Sequence, residues 1–326
     1  MTPADLSLTV LHAVRRAVDD GALRVEVPPR VKVERARPGG AGEYASNVAL
    51  TLARSAGRSA REVAAIIEER LRDAPGVRGV EITGPGFLNF TLRGDAGSEL
   101  VRAVLSGGAA YGYGDALAGT TVRFAAVAES RGALVTDVVV RLLRSQGADA
   151  GVDAGVGGGG SERVYVHPGA YEEDTLGRDA ARWALLRAAP HDRPLDGAPL
   201  LAQHERNSLF RVRYAYSRVR RLLVNGEQLG VTPAYEVPLH APELLGVLGD
   251  HPVVLLAAAR HRAPDRVARH LEAIADALLA FQHTVLPLGD EKPSAAHRSR
   301  LALAEAAGTV LAGGLSVLGI SAPDRI

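Results

Sequence analysis

Residues 121–148 read TVRFAAVAESRGALVTDVVVRLLRSQGA. Thr121–Ala126 reads as a strand and Ala133–Ser145 as a helix. Between them, Ala128-Glu129-Ser130 runs straight into Arg131-Gly132-Ala133. The run Gly147–Gly160 that follows is mostly Gly, Ala, Asp and Val and reads as a flexible linker. One strand and one helix are too little for a nucleotide-binding parallel sheet, which repeats that pair several times. The stretch therefore divides the chain. An α+β domain is expected over 1–118, a lone βα unit with a Gly-rich linker over 119–172, and an all-α helical bundle over 173–326.

Before the divide, Leu8, Leu11, Val14, Ala17 and Val18 recur at helical spacing and predict a helix over 5–20. Leu23–Val27 and Val31–Glu34 read as short strands. A Gly-rich turn at Arg37–Gly42 leads to a helix from Ser46 to Ala56. Ser59 with Glu62 three residues later forms a capping box for the next helix, whose Val63, Ile66, Ile67 and Leu71 share one face. Val80–Thr83 and Phe87–Leu92 read as strands joined by Gly84-Pro85-Gly86, where Pro followed by Gly suggests a type II turn. After the divide, helices are expected over 174–189, 200–224, 241–248, 252–261, 264–286 and 294–318, with prolines such as Pro190, Pro252 and Pro264 marking their ends.

The 326 residues carry 38 basic and 37 acidic side chains, so net charge alone does not announce nucleic-acid binding. Only Lys32 and Lys292 are lysines, a bias that GC-rich coding would also produce. No apolar run approaches the ~20 residues needed to cross a bilayer, and the first 20 residues read as a helix rather than a signal peptide. Cysteine is absent, which excludes disulfides, a thiol nucleophile and thiolate metal sites. A cytoplasmic protein without a membrane partner is expected.

Three blocks carry a family resemblance. Gly42-Glu43-Tyr44-Ala45-Ser46-Asn47-Val48-Ala49-Leu50, closing on Gly84-Pro85-Gly86-Phe87-Leu88-Asn89-Phe90, is similar to the N-terminal additional domain of arginyl-tRNA synthetases. Leu176-Gly177-Arg178-Asp179-Ala180-Ala181-Arg182-Trp183 resembles the Asp-Ala-Leu-Arg signature of the class I synthetase DALR anticodon-binding domain, with Ala181 in place of Leu. Asn207–Val219 resembles that domain's Tyr-rich helix, with Ser208 where Pro is common, and Leu301–Ile326 its terminal helix. The opening stretch resembles the first strand and helix of the catalytic domain, which implies a vestigial Rossmann-like βα remnant over 119–172. The departures are as specific. That family's His-x-Gly-His is absent between Ala126 and Arg131, and the only Met is Met1, so no Lys-Met-Ser-Lys loop exists. Without those donors the electrostatic stabilisation of the transferring phosphates is missing.

No other catalytic set replaces them, and no cofactor is expected. The sequence holds no His-Glu-x-x-His, Walker A or Gly-x-Ser-x-Gly motif. His261 and His270 share a helical neighbourhood, but surface histidines on helices are usually solvated. Gly155, Gly157 and Gly160 match Gly-x-Gly-x-x-Gly formally, without the strand and helix that a dinucleotide site requires. The acidic clusters Glu68-Glu69, Glu172-Glu173-Asp174 and Asp290-Glu291 read as solvated faces.

Two sets of residues are candidates for RNA contact. Phe87 and Asn89 lie two apart on a strand, where the resemblance implies D-loop contact, and an aromatic face plus an amide edge suits a splayed base. Around Arg211–Leu223, Val212, Ala215, Tyr216, Val219 and Leu223 cluster on one helix face to pack. Arg211, Tyr214, Arg218 and Arg221 cluster on another, where the resemblance implies anticodon-arm contact. The structural alternatives are a core Phe beside a turn Asn, and a solvated arginine face. Asp179 and Arg182 read as an i, i+3 pair, and Trp183 as a core anchor. The resemblance implies a tRNA-binding pseudoenzyme whose partner is tRNA, arginine tRNA first, and not DNA. An aminoacyl-tRNA-dependent transferase is the alternative, and a protein partner of full-length arginyl-tRNA synthetase a second.

Overall fold

The computed structural model describes residues 3–36, 41–92, 96–153 and 161–326. The chain divides into two compact units, Met1–Leu100 and Val101–Ile326.

In the first unit, α1 (Pro3–Asp19), α2 (Val48–Ala56) and α3 (Ala60–Leu71) accompany a four-stranded antiparallel sheet. Its strands β1 (Val33–Arg35), β2 (Tyr44–Ser46), β3 (Val77–Thr83) and β4 (Phe87–Leu92) lie in the order β1-β2-β4-β3. The core joins Leu6, Val10 and Val14 of α1 to Val63, Ile67 and Leu71 of α3 and to Leu88 and Phe90 of β4. The capping box forms as its spacing predicts: the Ser59 hydroxyl accepts from Glu62 N, and the Glu62 carboxylate accepts from Ser59 N at 2.9 Å.

Several local expectations fail in this unit for physical reasons. Leu23–Val27 is not a strand; Leu23 is buried and Val25 and Val27 pack on the core, so their pattern reports burial without a ladder. Ser46, expected to open the helix, is instead the last residue of β2. Gly42 sits at φ +75°, where a Cβ would meet Phe90 O at 2.6 Å, so the chain enters β2 close against β4. The Gly84-Pro85-Gly86 turn closes one residue early. Gly86 N donates to Thr83 O at 3.2 Å, leaving Gly84 at φ +53° in the first central position and Pro85 in the second. That is a primed turn, whose twist matches a hairpin, rather than type II. Of the expected Arg37–Gly42 turn, residues 37–40 lie outside the described residues.

α4 (Ala96–Gly107), which the sequence reading did not anticipate, begins in the first unit and ends in the second. The second unit continues with β5 (Thr121–Ala125), α5 (Ser130–Ser145) and β6 (Asp149–Asp153), with β5 and β6 paired parallel from Thr121↔Asp149 to Ala125↔Asp153. The expected linker is thus partly a strand: β6 occupies its first half. The glycine pattern at 155–160 lies outside the described residues. Glu162 bridges the other edge of β5, its N donating to Arg123 O at 2.8 Å.

The rest is helical, as expected: α6 (Glu173–Leu176), α7 (Arg178–Arg187), α8 (Ser208–Gln228), α9 (Pro242–His261), α10 (Asp265–Phe281) and α11 (Ala295–Leu318). α11 is buried along most of its length, from Leu301 to Leu318, and forms the core of the bundle. By length and composition α9 and α11 would both suffice to cross a membrane, which corrects the sequence reading; burial of most of α11 accounts for its hydropathy as packing. The two helices expected over 241–248 and 252–261 are one, because Pro252 lies inside α9. A helix-interior proline leaves the carbonyl four residues back without its donor. Here that carbonyl belongs to Leu248, and the Tyr111 hydroxyl donates to it at 3.2 Å.

Candidate nucleic-acid interface and the strand–helix junction

The pairing of β3 with β4 sets the fate of Phe87 and Asn89. Phe87 opens β4 beside the hairpin turn and is 39% exposed, while Asn89 opposite Glu81 is 7% exposed. The Asn89 amide nitrogen donates to Thr83 Oγ1 at 2.7 Å and to Glu81 O at 3.2 Å. Phe87 is therefore presented to solvent, whereas the Asn89 amide is engaged in tying the hairpin together.

α8 separates its faces nearly as the spacing predicts. Leu209, Val212, Ala215, Val219, Leu222 and Gly226 are buried, so Leu222 takes the place expected for Leu223. Gly226 is needed there, since a Cβ would lie 2.6 Å from Leu301 of α11. Along the other face, Tyr214 is 39% exposed and stacks on Phe210 with ring centroids 5.7 Å apart. Arg211 Nε pairs with Asp276 Oδ1 of α10 at 2.9 Å, and Arg218 Nε donates to Gln282 Oε1 at 2.7 Å. Arg221 is exposed and makes no hydrogen bond or ion pair among the described residues. The four residues thus share one stripe, two guanidinium groups being steadied by α10 and the segment after it.

The junction between β5 and α5 is filled from within. Glu129 caps α5, its carboxylate accepting from Gly132 N at 2.6 Å, Gly169 N at 2.9 Å and Arg131 N at 3.1 Å. Burial alone would raise this carboxyl; the three N–H groups and the neighbouring Arg131 outweigh it and hold it below the usual carboxylate range. Arg131 is fully buried. Its guanidinium donates to five carbonyls, those of His167, Leu185, Ala188, Ala189 and Asp192, at 2.7–3.0 Å. A helix N-terminus at the carboxyl end of a parallel strand is where open α/β sheets bind anions. In this chain Glu129 takes those N–H groups itself. An acidic residue directly before a helix start is a cap recognisable in sequence, so Glu129 carries a signal beyond marking a gap; nothing in composition marks Arg131 as buried.

In the signature helix α7, Trp183 is fully buried and its Nε1 donates to Ser208 Oγ at 2.9 Å, so it is the expected core anchor. Asp179 and Arg182 do not pair with each other. Arg182 donates to Leu318 O at 2.9 and 3.1 Å, capping α11, while Asp179 accepts from Ser321 N at 3.2 Å. Arg182 binds the end of α11 and Asp179 the segment just after it, which a spacing argument within α7 does not reveal. His270 is buried, not solvated, and stacks on His251 at 5.4 Å, which stacks on Tyr111 at 5.9 Å. Among the described residues no group of three or more His, Cys, Asp or Glu is placed to hold a metal ion.

Comparison with known proteins places these features. Residues 8–92 match the model of the arginyl tRNA synthetase N terminal domain, and residues 212–326 that of the DALR anticodon binding domain. The arginine–tRNA ligase of Frankia alni is 28% identical over 552 positions that cover all of both chains. The 326 residues fill about three fifths of that span, so the shortfall lies between the matched ends. The arginine–tRNA ligase of Micrococcus luteus is 39% identical over 177 residues, half of this chain and 32% of that one. Among solved structures, Thermus thermophilus arginyl-tRNA synthetase superposes with a TM-score of 0.72 over all of both chains at 12% identity, a likeness of fold.

Proposed function

Because the chain is an arginyl-tRNA-synthetase-like protein, carrying that family's N-terminal and DALR domains without its catalytic domain, we propose that it binds tRNA and does not charge it. The observation that carries this reading is the β5–α5 junction. Glu129 fills the α5 N-terminus with a carboxylate held ionised by three N–H groups, and Arg131 locks the surrounding carbonyls. A phosphate entering there would meet a like charge and no free donor among those three groups. Binding falls to the surfaces that remain. Tyr214, Arg218 and Arg221 on α8 offer an aromatic face and guanidinium forks for an anticodon arm, and Phe87 offers a face for a D-loop base. Arginine tRNA is the first tRNA to try.

The test is purification followed by two measurements. Nucleic acid released from the protein is sequenced, and arginine-dependent pyrophosphate exchange is assayed with ATP and tRNA. Enrichment of tRNA without exchange supports the reading. Turnover in the exchange assay would refute its non-catalytic half.

A further inference from the structure

The exposed face of α10 extends the stripe of α8. Arg266, Arg269, Ala273, Asp276 and Ala280 are exposed at steps of three and four residues, which places them on one line along the helix. Asp276 on this line is the residue that pairs with Arg211 at 2.9 Å, so the two stripes meet there. Arg218 meets Gln282 seven residues further along α8, so α8 and α10 run in the same direction. Arg266 and Arg269 therefore lie beyond the α8 N-terminus, ten and seven residues upstream of the meeting point, which is ~15 and ~10 Å of helix.

There they border a cleft of about 720 Å3 between α9, the start of α10 and the loop after α7. Pro190, Val253 and Ala257 supply apolar wall, and His191, Arg266 and Arg269 supply polar rim. Val253 is 53% exposed despite its apolar side chain. Arg269 lies 3.4 Å from Asp265, a buried carboxylate of which one oxygen has no hydrogen-bond partner, and Arg266 stands exposed. The line as a whole sets Arg266, Arg269, Arg211, Arg218 and Arg221 against Asp265 and Asp276, so its charge stays positive.

We propose that this cleft is a second RNA subsite, which takes a nucleotide of the same molecule that lies on α8. The phosphate meets Arg266 and Arg269, and the base rests on Val253 and Ala257. RNA fits better than an acidic polypeptide because the guanidinium groups follow one line for ~30 Å through an exposed aromatic, Tyr214. A polyanion with flat bases uses both features. The subsite rests on the tRNA-binding reading and extends it to a surface that the α8 stripe does not reach.

The experiment titrates the full chain with tRNA across a range of salt, comparing wild type with Arg266→Gln, Val253→Gln and Tyr214→Ala. Arg266 has no side-chain partner among the described residues, so its replacement leaves the fold intact. Arg266→Gln is expected to reduce the steepness of the salt dependence by about one phosphate contact. Val253→Gln weakens binding at every salt concentration with the slope kept. Wild-type binding that neither substitution changes, while Tyr214→Ala weakens it, overturns the subsite and leaves the α8 reading standing. Failure of wild type to bind at low salt overturns both. Poly-glutamate competing as strongly as tRNA, and losing that strength in Arg266→Gln, assigns the cleft to acidic protein and likewise overturns the proposal.

Discussion

The Tyr111 hydroxyl donates to the Leu248 carbonyl at 3.2 Å across 137 positions of sequence. It replaces the donor that Pro252 lacks, and so lets α9 run unbroken through a proline. Tyr111→Phe keeps the ring and removes the hydroxyl, leaving a buried carbonyl unsatisfied. It is expected to destabilise the protein by ~1–2 kcal/mol, read as a lower urea midpoint with an unchanged slope. An unchanged midpoint would mean that another group serves Leu248.

The same ring begins a stack with His251 and His270 whose titration sets an acid limit. Burial lowers His251 from its ordinary value to about 3, with His270 adding to the shift, and lowers His270 to about 4. Both rings stay neutral in the fold, while an unfolded chain protonates them below about pH 6.5. Stability is therefore full above that pH and is lost as pH falls toward the folded values. By pH 5 the loss is ~2 kcal/mol per histidine. Denaturant midpoints measured from pH 7 to pH 5 should drop for wild type and drop less for His270→Phe. Parallel profiles would rule the pair out as the cause.

Arg131 holds five carbonyls from the chain around α7, and no shorter side chain spans them. A lysine has three donors on a single nitrogen. Arg131→Lys is expected to cost ~3 kcal/mol or more, because carbonyls buried without partners each carry a penalty. Thermal melting reads the effect, and a fall of only a degree or two would show that water replaces the guanidinium.

Trp183 and Ser208 offer a milder test. Ser208→Ala removes the acceptor of the indole N–H and is expected to cost ~1 kcal/mol. Ser208→Pro also removes the acceptor, but it suits the first position of α8, where no backbone donor is needed. Its loss should be smaller than that of Ser208→Ala in the same denaturant series.

These contacts mark what a linear reading reaches. Patterns completed within a few residues were legible: the Ser59–Glu62 box, the buried face of α8 and the anchor at Trp183. Contacts decided by distant partners were not. Pro252 reads as a break until Tyr111 is beside Leu248. Asp179 and Arg182 read as a pair until the end of α11 claims Arg182 and the segment after it claims Asp179. Asn89 reads as an offered amide until Thr83 and Glu81 take it. β2 and β6 lie beside or within glycine-rich runs that read as turn and linker, and each pairs with a neighbouring strand that the local pattern does not reveal. The α8 stripe was visible in the spacing, whereas its continuation through Asp276 to Arg269 and Arg266 needed two helices side by side.

The most direct measurement is titration of the purified protein with arginine tRNA at two ionic strengths, wild type beside Arg218→Glu combined with Arg221→Glu. The account predicts binding at low salt that weakens steeply as salt rises, and a clear loss of affinity with a shallower salt dependence in the double variant. Absence of wild-type binding at low salt, or binding that the double variant leaves unchanged, would contradict it.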